Sequence, residues 1–178
     1  EGESRRMIPQ KRPLNFEDYR SWPDESRWEL IDGHPYAMWS PSSLHQELST
    51  SLVLELTPFF RDRGCRLFHA PMDVKLSDHD VVQPDLLVVC DPKQIRSTHI
   101  EGAPALVVEI LSPSTLRHDR VLKLNLYARA GVAEYWLLTP ILSSSRSCVW
   151  TPACFRPPAP IPRPASSAVR DFPTWSLT

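Results

Sequence analysis

Three polar residues stand where the chain otherwise reads as buried strand and packed helix. Asp85 follows Pro84 in VVQPDLLVVC, Glu109 interrupts ALVVEIL, and Lys123 lies on the helical stretch that comes next. A carboxylate in an apolar strand is costly unless it is paired, protonated or bound to metal. Two carboxylates and one ammonium are the minimal set for metal-assisted hydrolysis of a phosphodiester. The carboxylates hold a divalent cation, and the ammonium offsets charge on the phosphate. Each residue also has a plainer reading: Glu109 salt-bridged to an internal Arg or Lys, Asp85 capping a loop, and Lys123 paired with Asp119 on a helix surface at i, i+4.

Other chemistries find little support. No GxxxxGK[ST] or GxGxxG run occurs, so phosphate-loop and dinucleotide readings fail. A serine nucleophile elbow is absent. His34, His69, His79, His99 and His118 form no HxH or HxxxH spacing, and the four cysteines form no CxxC pair, which argues against a zinc site. Asp73-Val74-Lys75 spells D-x-K but precedes Pro84-Asp85; it reads as an ordinary strand with an outward lysine and with Asp73 free to face a cleft. His45, at the start of a long helix, is a candidate for proton transfer near neutrality or for simple local hydrogen bonding. Trp28, Trp39, Tyr127, Tyr135 and Trp136 read as core rather than as base-stacking platforms.

The elements that must position these residues follow from periodicity. NFEDYRSWP reads as a short helix capped by Asn15. Trp28–Ile31 and Pro35–Trp39 flank Asp32-Gly33, a strong hairpin signal. Ser42 or Ser43 caps a long helix in which Leu44, Leu48, Leu52 and Leu56 recur at helical spacing, Pro58 bends or ends its regular part, and Gly64 stops it. CRLFHAP, MDVKLS and DVVQPDLLVVC read as three strands, DPKQIRSTHIEGAP as a connection, and ALVVEIL as a further strand. A second helix is capped by Ser114 or Thr115 and stopped by Gly131, and it places Asp119, Lys123 and Tyr127 on one face. AEYWLLTP is the final strand. The expected fold is α/β, a mixed central sheet flanked by helices.

The 178 residues suit one domain. The boundaries expected are 1–140 for the folded domain and 141–178 for a Pro/Ser/Arg-rich tail with little regular structure. Net charge is −1. From Ile141 onward there are four Arg and one Asp, which leaves 16 basic against 20 acidic residues before it. An acidic body suits a divalent cation, and nucleic-acid affinity would then need a local basic patch. No apolar run is long enough to span a membrane. EGESRRMIPQKR lacks the apolar core of a secretory signal, so a cytoplasmic protein with reduced thiols is expected, Cys65 and Cys90 being buried ones.

The ordered runs WELIDG, SPSSLHQ, VVQPDLLVV, GAPALVVEILSPST and DRVLKLNLYARAGVAEYWLL resemble the Uma-type endonucleases of bacteria, within the PD-(D/E)xK restriction-endonuclease-like superfamily. The likeness runs from Phe16 to Pro140, after which the chain departs from the family's pattern. It implies a restriction-endonuclease-like nuclease domain that cuts DNA with Mg²⁺, or with Mn²⁺ in its place. Asp85 matches the aspartate of the first half-motif and Glu109 the acid of the second. Leu111 occupies the usual lysine position, and Lys123 matches the helical lysine that takes over. Glu29 matches a further acid near the metal, with the Ile110 carbonyl a candidate co-ligand, and His45, Asp119 and Tyr127 are candidates to support the site or substrate. Inversion at phosphorus and a 5′-phosphate product would follow. A homodimer is left open. The alternative is a nuclease fold that no longer cuts and serves as a binding or regulatory module.

Overall fold

Two sheets share the chain, and the segment that carries it from one to the other holds Asp85. The computed structural model describes residues 12–22, 27–111, 118–141 and 147–154, with the backbone alone at 118–120, 139–141 and 147–154. Helix α1 (Phe16–Arg20) opens on a capping box, in which the Asn15 side chain accepts from the Asp18 N–H and the Asp18 carboxylate accepts from the Asn15 N–H. Strands β1 (Trp28–Ile31) and β2 (His34–Ala37) form an antiparallel hairpin. Its two-residue turn has φ 52° at Asp32 and 73° at Gly33, as a twisted hairpin requires. Gly33 is further constrained by space, since an added Cβ would lie 2.5 Å from Pro13 Cβ.

Helix α2 (Ser43–Arg61) is capped by Ser42, whose hydroxyl accepts from the His45 N–H at 3.3 Å. Leu48 and Leu56 are buried, with Leu44 and Leu52 partly buried beside Leu48. Pro58 does not end the helix; regular structure continues to Arg61, and the Pro58 carbonyl accepts from the Asp62 N–H.

Strands β3 (Arg66–His69), β4 (Val74–Ser77), β5 (Asp80–Val82) and β6 (Leu86–Val89) come next. DVVQPDLLVVC is therefore two strands. Pro84 lacks an N–H for a ladder, and Gln83-Pro84-Asp85 carries the chain between sheets. Within the segment expected to be a plain connection lie a 3₁₀ turn at Pro92–Gln94 and strand β7 (Ile100–Glu101). Strand β8 (Leu106–Ile110), helix α3 (His118–Ala130), strand β9 (Glu134–Ile141) and strand β10 (Ser147–Cys154) complete the order. The caps expected at Ser114 or Thr115 lie outside the described residues. Gly131, at φ 85°, ends α3 as expected, with the Val132 N–H returning to the Tyr127 carbonyl.

One sheet runs β2-β1-β5-β4-β7, the other β10-β9-β8-β6-β3. Both are mixed: β4–β7 and β8–β9 are parallel, and the remaining pairs are antiparallel. The expected mixed sheet flanked by helices is thus resolved into two. Val74, Val82, Leu87, Val107, Leu126 and Tyr135 belong to one buried cluster that joins both sheets to α3, and Leu48 joins α2 to Leu86, Val88 and Val108 in another.

Two expectations need correction here. Little regular structure was expected from residue 141, but 147–154 form β10, paired antiparallel with β9 from Ser147↔Ile141 to Cys154↔Glu134. Residues 142–146 and 155–178 lie outside the described residues. Cys65 and Cys90 are not separate thiols but a disulfide. The β3–β6 register puts Arg66 opposite Val89, so the next residues outward, Cys65 and Cys90, face each other across the strand pair.

Candidate active site

Glu29, Asp85, Glu109 and Lys123 come from four different places: β1 of the first sheet, the crossover, β8 of the second sheet, and α3. Lys123 is 6% exposed, and its Nζ donates to Glu29 Oε1 at 2.9 Å and to Glu109 Oε1 at 3.0 Å. The surface pairing of Lys123 with Asp119 is therefore overturned; the Asp119 side chain itself lies outside the described residues. An ammonium has three donors, and the described residues engage two of them. One turn along α3, the Tyr127 hydroxyl donates to Glu109 Oε1 at 2.8 Å. Tyr127 is wholly buried, and its ring lies 5.1 Å from that of Tyr135.

The far end of α3 fixes the geometry. Arg129 donates to Asp80 Oδ1 at 2.8 Å and to Asp32 Oδ2 at 3.2 Å, and Asp80 Oδ1 also accepts from the Asp32 N–H. The helix that supplies Lys123 is thereby tied to the hairpin that supplies Glu29. Leu111, at the place where a strand lysine was absent, is 4% exposed and packs in the core, which leaves α3 as the source of the cation.

Asp85 sits immediately before β6. Its Oδ2 accepts from the Ile110 N–H at 2.7 Å and lies 3.0 Å from His45 Nε2. These bonds place Asp85 beside Glu109, the neighbour of Ile110 on β8. His45 reaches the site from the first turn of α2, and among the described residues nothing bonds to its buried Nδ1. The Gln83 N–H donates to Glu29 Oε1 at 2.9 Å, so the crossover holds one carboxylate and supplies another.

The charges act on one another. Burial pushes the Glu109 carboxyl up to about 7; Lys123 and the Tyr127 hydroxyl pull it down, whereas Asp85 and Glu29 push the same way as burial. Burial works against the Lys123 ammonium, but Glu109 and Glu29 outweigh it and hold the lysine well above its ordinary value. The Asp85 hydrogen bond raises His45 against the opposing effect of burial. Burial first, and then Glu109, raise Tyr127 and keep it a donor. Three carboxylates thus face one ammonium and one histidine.

As a metal site the cluster is incomplete by itself: among the described residues no group of three or more His, Cys, Asp or Glu converges into a ready-made cage. The donor chemistry nonetheless fits a hard cation. Both described bonds to Asp85 land on Oδ2 and both to Glu109 on Oε1, and among the described residues nothing donates to Asp85 Oδ1 or Glu109 Oε2. Magnesium takes one or two carboxylates and fills its other positions with water and substrate oxygens.

Three further readings resolve differently. Lys75 of the D-x-K decoy is not simply outward; it pairs with Asp78 at 2.9 Å and Glu101 at 3.5 Å and lies over the Phe16 ring. Asp73 does face a cleft, accepting from Tyr19 and Gln83. Trp39, expected in the core, is 84% exposed. Sequence reasoning missed Gln83 and Arg129; the only signal for either was a polar residue within an otherwise apolar run or on the Lys123 helix.

The mixed α/β fold gathers acids from β1, the sheet crossover and β8 beside a buried helical lysine, and its architecture is shared with a solved protein. The solved structure of a putative nuclease of the DUF820 group from Anabaena variabilis superposes with a TM-score of 0.64, covering 92% of this chain and 95% of that one at 19% identity. The chain belongs to the Uma2 family, described as putative restriction endonuclease, whose profile matches residues 16–173. The match continues well past Pro140, so the expected departure from the family's pattern at that point is not upheld. An uncharacterized protein of Synechocystis sp. is 33% identical over 128 residues, 70% of this chain and 67% of that one. Among the described residues no helix is long and apolar enough to cross a membrane.

Proposed function

We propose that this chain is a metal-dependent endonuclease that hydrolyses DNA phosphodiester bonds. The observation that carries the reading is that Glu29 and Glu109 meet at the buried Lys123 while Asp85, held by the Ile110 N–H and His45, sits beside Glu109. Buried carboxylates crowded in this way are costly without a counter-charge. The family's description as a restriction endonuclease favours DNA as the substrate.

In this reading Asp85 and Glu109 hold Mg²⁺ or Mn²⁺, with Glu29 assisting through the shared lysine. A bound divalent cation supplies Lewis acidity toward a phosphate oxygen and lowers the pKa of a bound water. Lys123 presents its remaining N–H to the attacking water or to the phosphate, as a fixed positive charge that burial keeps from being screened. Tyr127 and Lys123 together hold Glu109 Oε1, which orients Oε2. The Ile110 N–H and His45 do the same for Asp85, by occupying Oδ2.

The test is supercoiled-plasmid cleavage with Mg²⁺ by the parent, Glu109→Gln and Lys123→Met proteins. Cleavage by the parent that falls at least a hundredfold in both variants is expected, and equal cleavage by all three would sink the assignment. The Glu109–Lys123 pair also suits a second reading, in which the acids are internally paired and the fold only binds or regulates. Calorimetric titration separates them: no Mg²⁺ or Mn²⁺ binding at millimolar concentration would favour the second.

A further inference from the structure

A concavity lies across β1 from Lys123. It is a cleft of about 390 Å³ between α1, β1 and the segment before β4, walled by the rings of Tyr19, Trp22 and Trp28. That volume is within the range of pockets for small organic ligands. Trp22 lies 5.3 Å from Tyr19 and 5.8 Å from Trp28, centroid to centroid, so three aromatic rings are contiguous. The polar side of the cleft is organised around Gln83, 8% exposed. Gln83 Nε2 donates to Asp73 Oδ1 at 2.8 Å, the Tyr19 hydroxyl donates to the same oxygen at 2.8 Å, and Arg27 Nε donates to Gln83 Oε1 at 2.8 Å. Both bonds to Asp73 use Oδ1, and among the described residues nothing donates to Oδ2. A carboxylate with one engaged and one unengaged oxygen, set among aromatic faces, can accept an N–H from a flat ligand stacked on those faces.

The cleft is coupled to the catalytic cluster through the same residues. Successive side chains of β1 point to opposite faces: Trp28 lines the cleft, and Glu29 takes Lys123. Gln83 serves both, with its side chain on Asp73 and its backbone N–H on Glu29. Pro71, on the cleft wall, follows Ala70, whose N–H donates to the Asp85 carbonyl. Arg27 lines the cleft and holds Gln83, the residue whose backbone N–H reaches Glu29.

We infer that this cleft receives an unstacked nucleobase bearing an exocyclic amine, from the strand whose phosphate lies at Lys123. The inference rests on the nuclease reading for the identity of that strand. Aromatic rings stack any base face. Asp73 supplies the selection, since carboxylates accept from the N4 amine of cytosine and reject a carbonyl in that place. Arg27 and Arg20 at the cleft add the local positive charge that an acidic body otherwise lacks.

The experiment is tryptophan-fluorescence titration of the full chain in EDTA with dCMP, dUMP and deoxyribose 5-phosphate. Saturable quenching by dCMP, at least fivefold weaker with dUMP and absent with the sugar phosphate, is expected. Asp73→Asn should erase the dCMP preference, and Trp28→Leu should weaken both nucleotides. Equal binding of dCMP and dUMP by the parent, binding of the sugar phosphate as tight as that of dCMP, or no saturation at millimolar nucleotide would each overturn the inference, whatever the variants do. No metal or cleavage enters the measurement. A chain that does not cut can still bind dCMP, and a chain that cuts but ignores dCMP refutes this inference alone.

Discussion

Lys123 Nζ and Glu109 Oε1 lie 3.0 Å apart, buried, although one belongs to a helix and the other to a strand of the second sheet. The same ammonium reaches Glu29 in the first sheet. Lys123 therefore bridges the two sheets electrostatically. Lys123→Met should destabilise the metal-free chain by about 3 kcal/mol, because it leaves two carboxylates buried without their cation. Urea unfolding with EDTA measures this. A loss below about 1 kcal/mol, in the range of an exposed pair, would mean that Lys123 does not hold the sheets together.

The Glu109 carboxyl is raised by burial to about 7 in the folded chain, against an ordinary value of 4.5. The folded state then binds the proton more tightly than the unfolded one, so stability falls as pH rises between these values and is level on either side. In metal-free protein the parent should lose about 3 kcal/mol from pH 4.5 to pH 7.5 through this group, whereas Glu109→Gln should lack that component. Paired urea curves at the two pH values give the difference. Equal pH slopes for parent and variant would show that Glu109 is ionised throughout.

The strands and helices were legible because their periodicities are plain: leucines every four residues in α2, the Asp32-Gly33 turn, and the apolar run of β8, broken by Glu109 alone. Asp85, Glu109 and Lys123 were legible as costly residues in those runs, and the structure brings Asp85 close to Glu109 through the Ile110 N–H and brings Glu109 and Glu29 to Lys123. The division of DVVQPDLLVVC between two sheets was not legible, because both halves are equally apolar and a proline marks a break without saying where the chain goes next. The Cys65–Cys90 pairing was hidden for a related reason, since it follows from the register of β3 on β6. β10 was hidden because its proline argues against a strand, yet Pro152 stands opposite Trp136 in a strand at the sheet's edge.

The disulfide joins residues 25 apart in sequence, at the end of β6 opposite Asp85. Cross-linking a loop of that size restricts the unfolded chain by about 3 kcal/mol. Cys65→Ala with Cys90→Ala should lower stability by up to that amount and leave plasmid cleavage within about twofold, since neither sulfur touches the cluster. A non-reducing digest should yield a Cys65–Cys90 linked peptide. Finding both cysteines alkylated without prior reduction would refute the pairing.

Arg129 carries the last prediction, because it separates positioning from chemistry. Its guanidinium is partly exposed and holds Asp32, in the turn of the β1–β2 hairpin, and Asp80, at the start of β5, while Tyr127 and Lys123 lie two and six residues back along the same helix. If this tie sets the approach of α3 to β1, Arg129→Met should cost about 1 kcal/mol of stability, an amount near the upper end for a half-exposed pair. It should also lower cleavage tenfold or more, because small misplacements of a catalytic group are expensive. Asp80→Asn alone, which keeps the Asp32 contact, should fall between parent and Arg129→Met in both respects. The added loss on combining Asp80→Asn with Arg129→Met should be smaller than the sum of the two. A cycle that is additive in cleavage rate would mean that Arg129 acts elsewhere, and that the packing of Leu126 and Tyr127 against the core holds Lys123 in place without it.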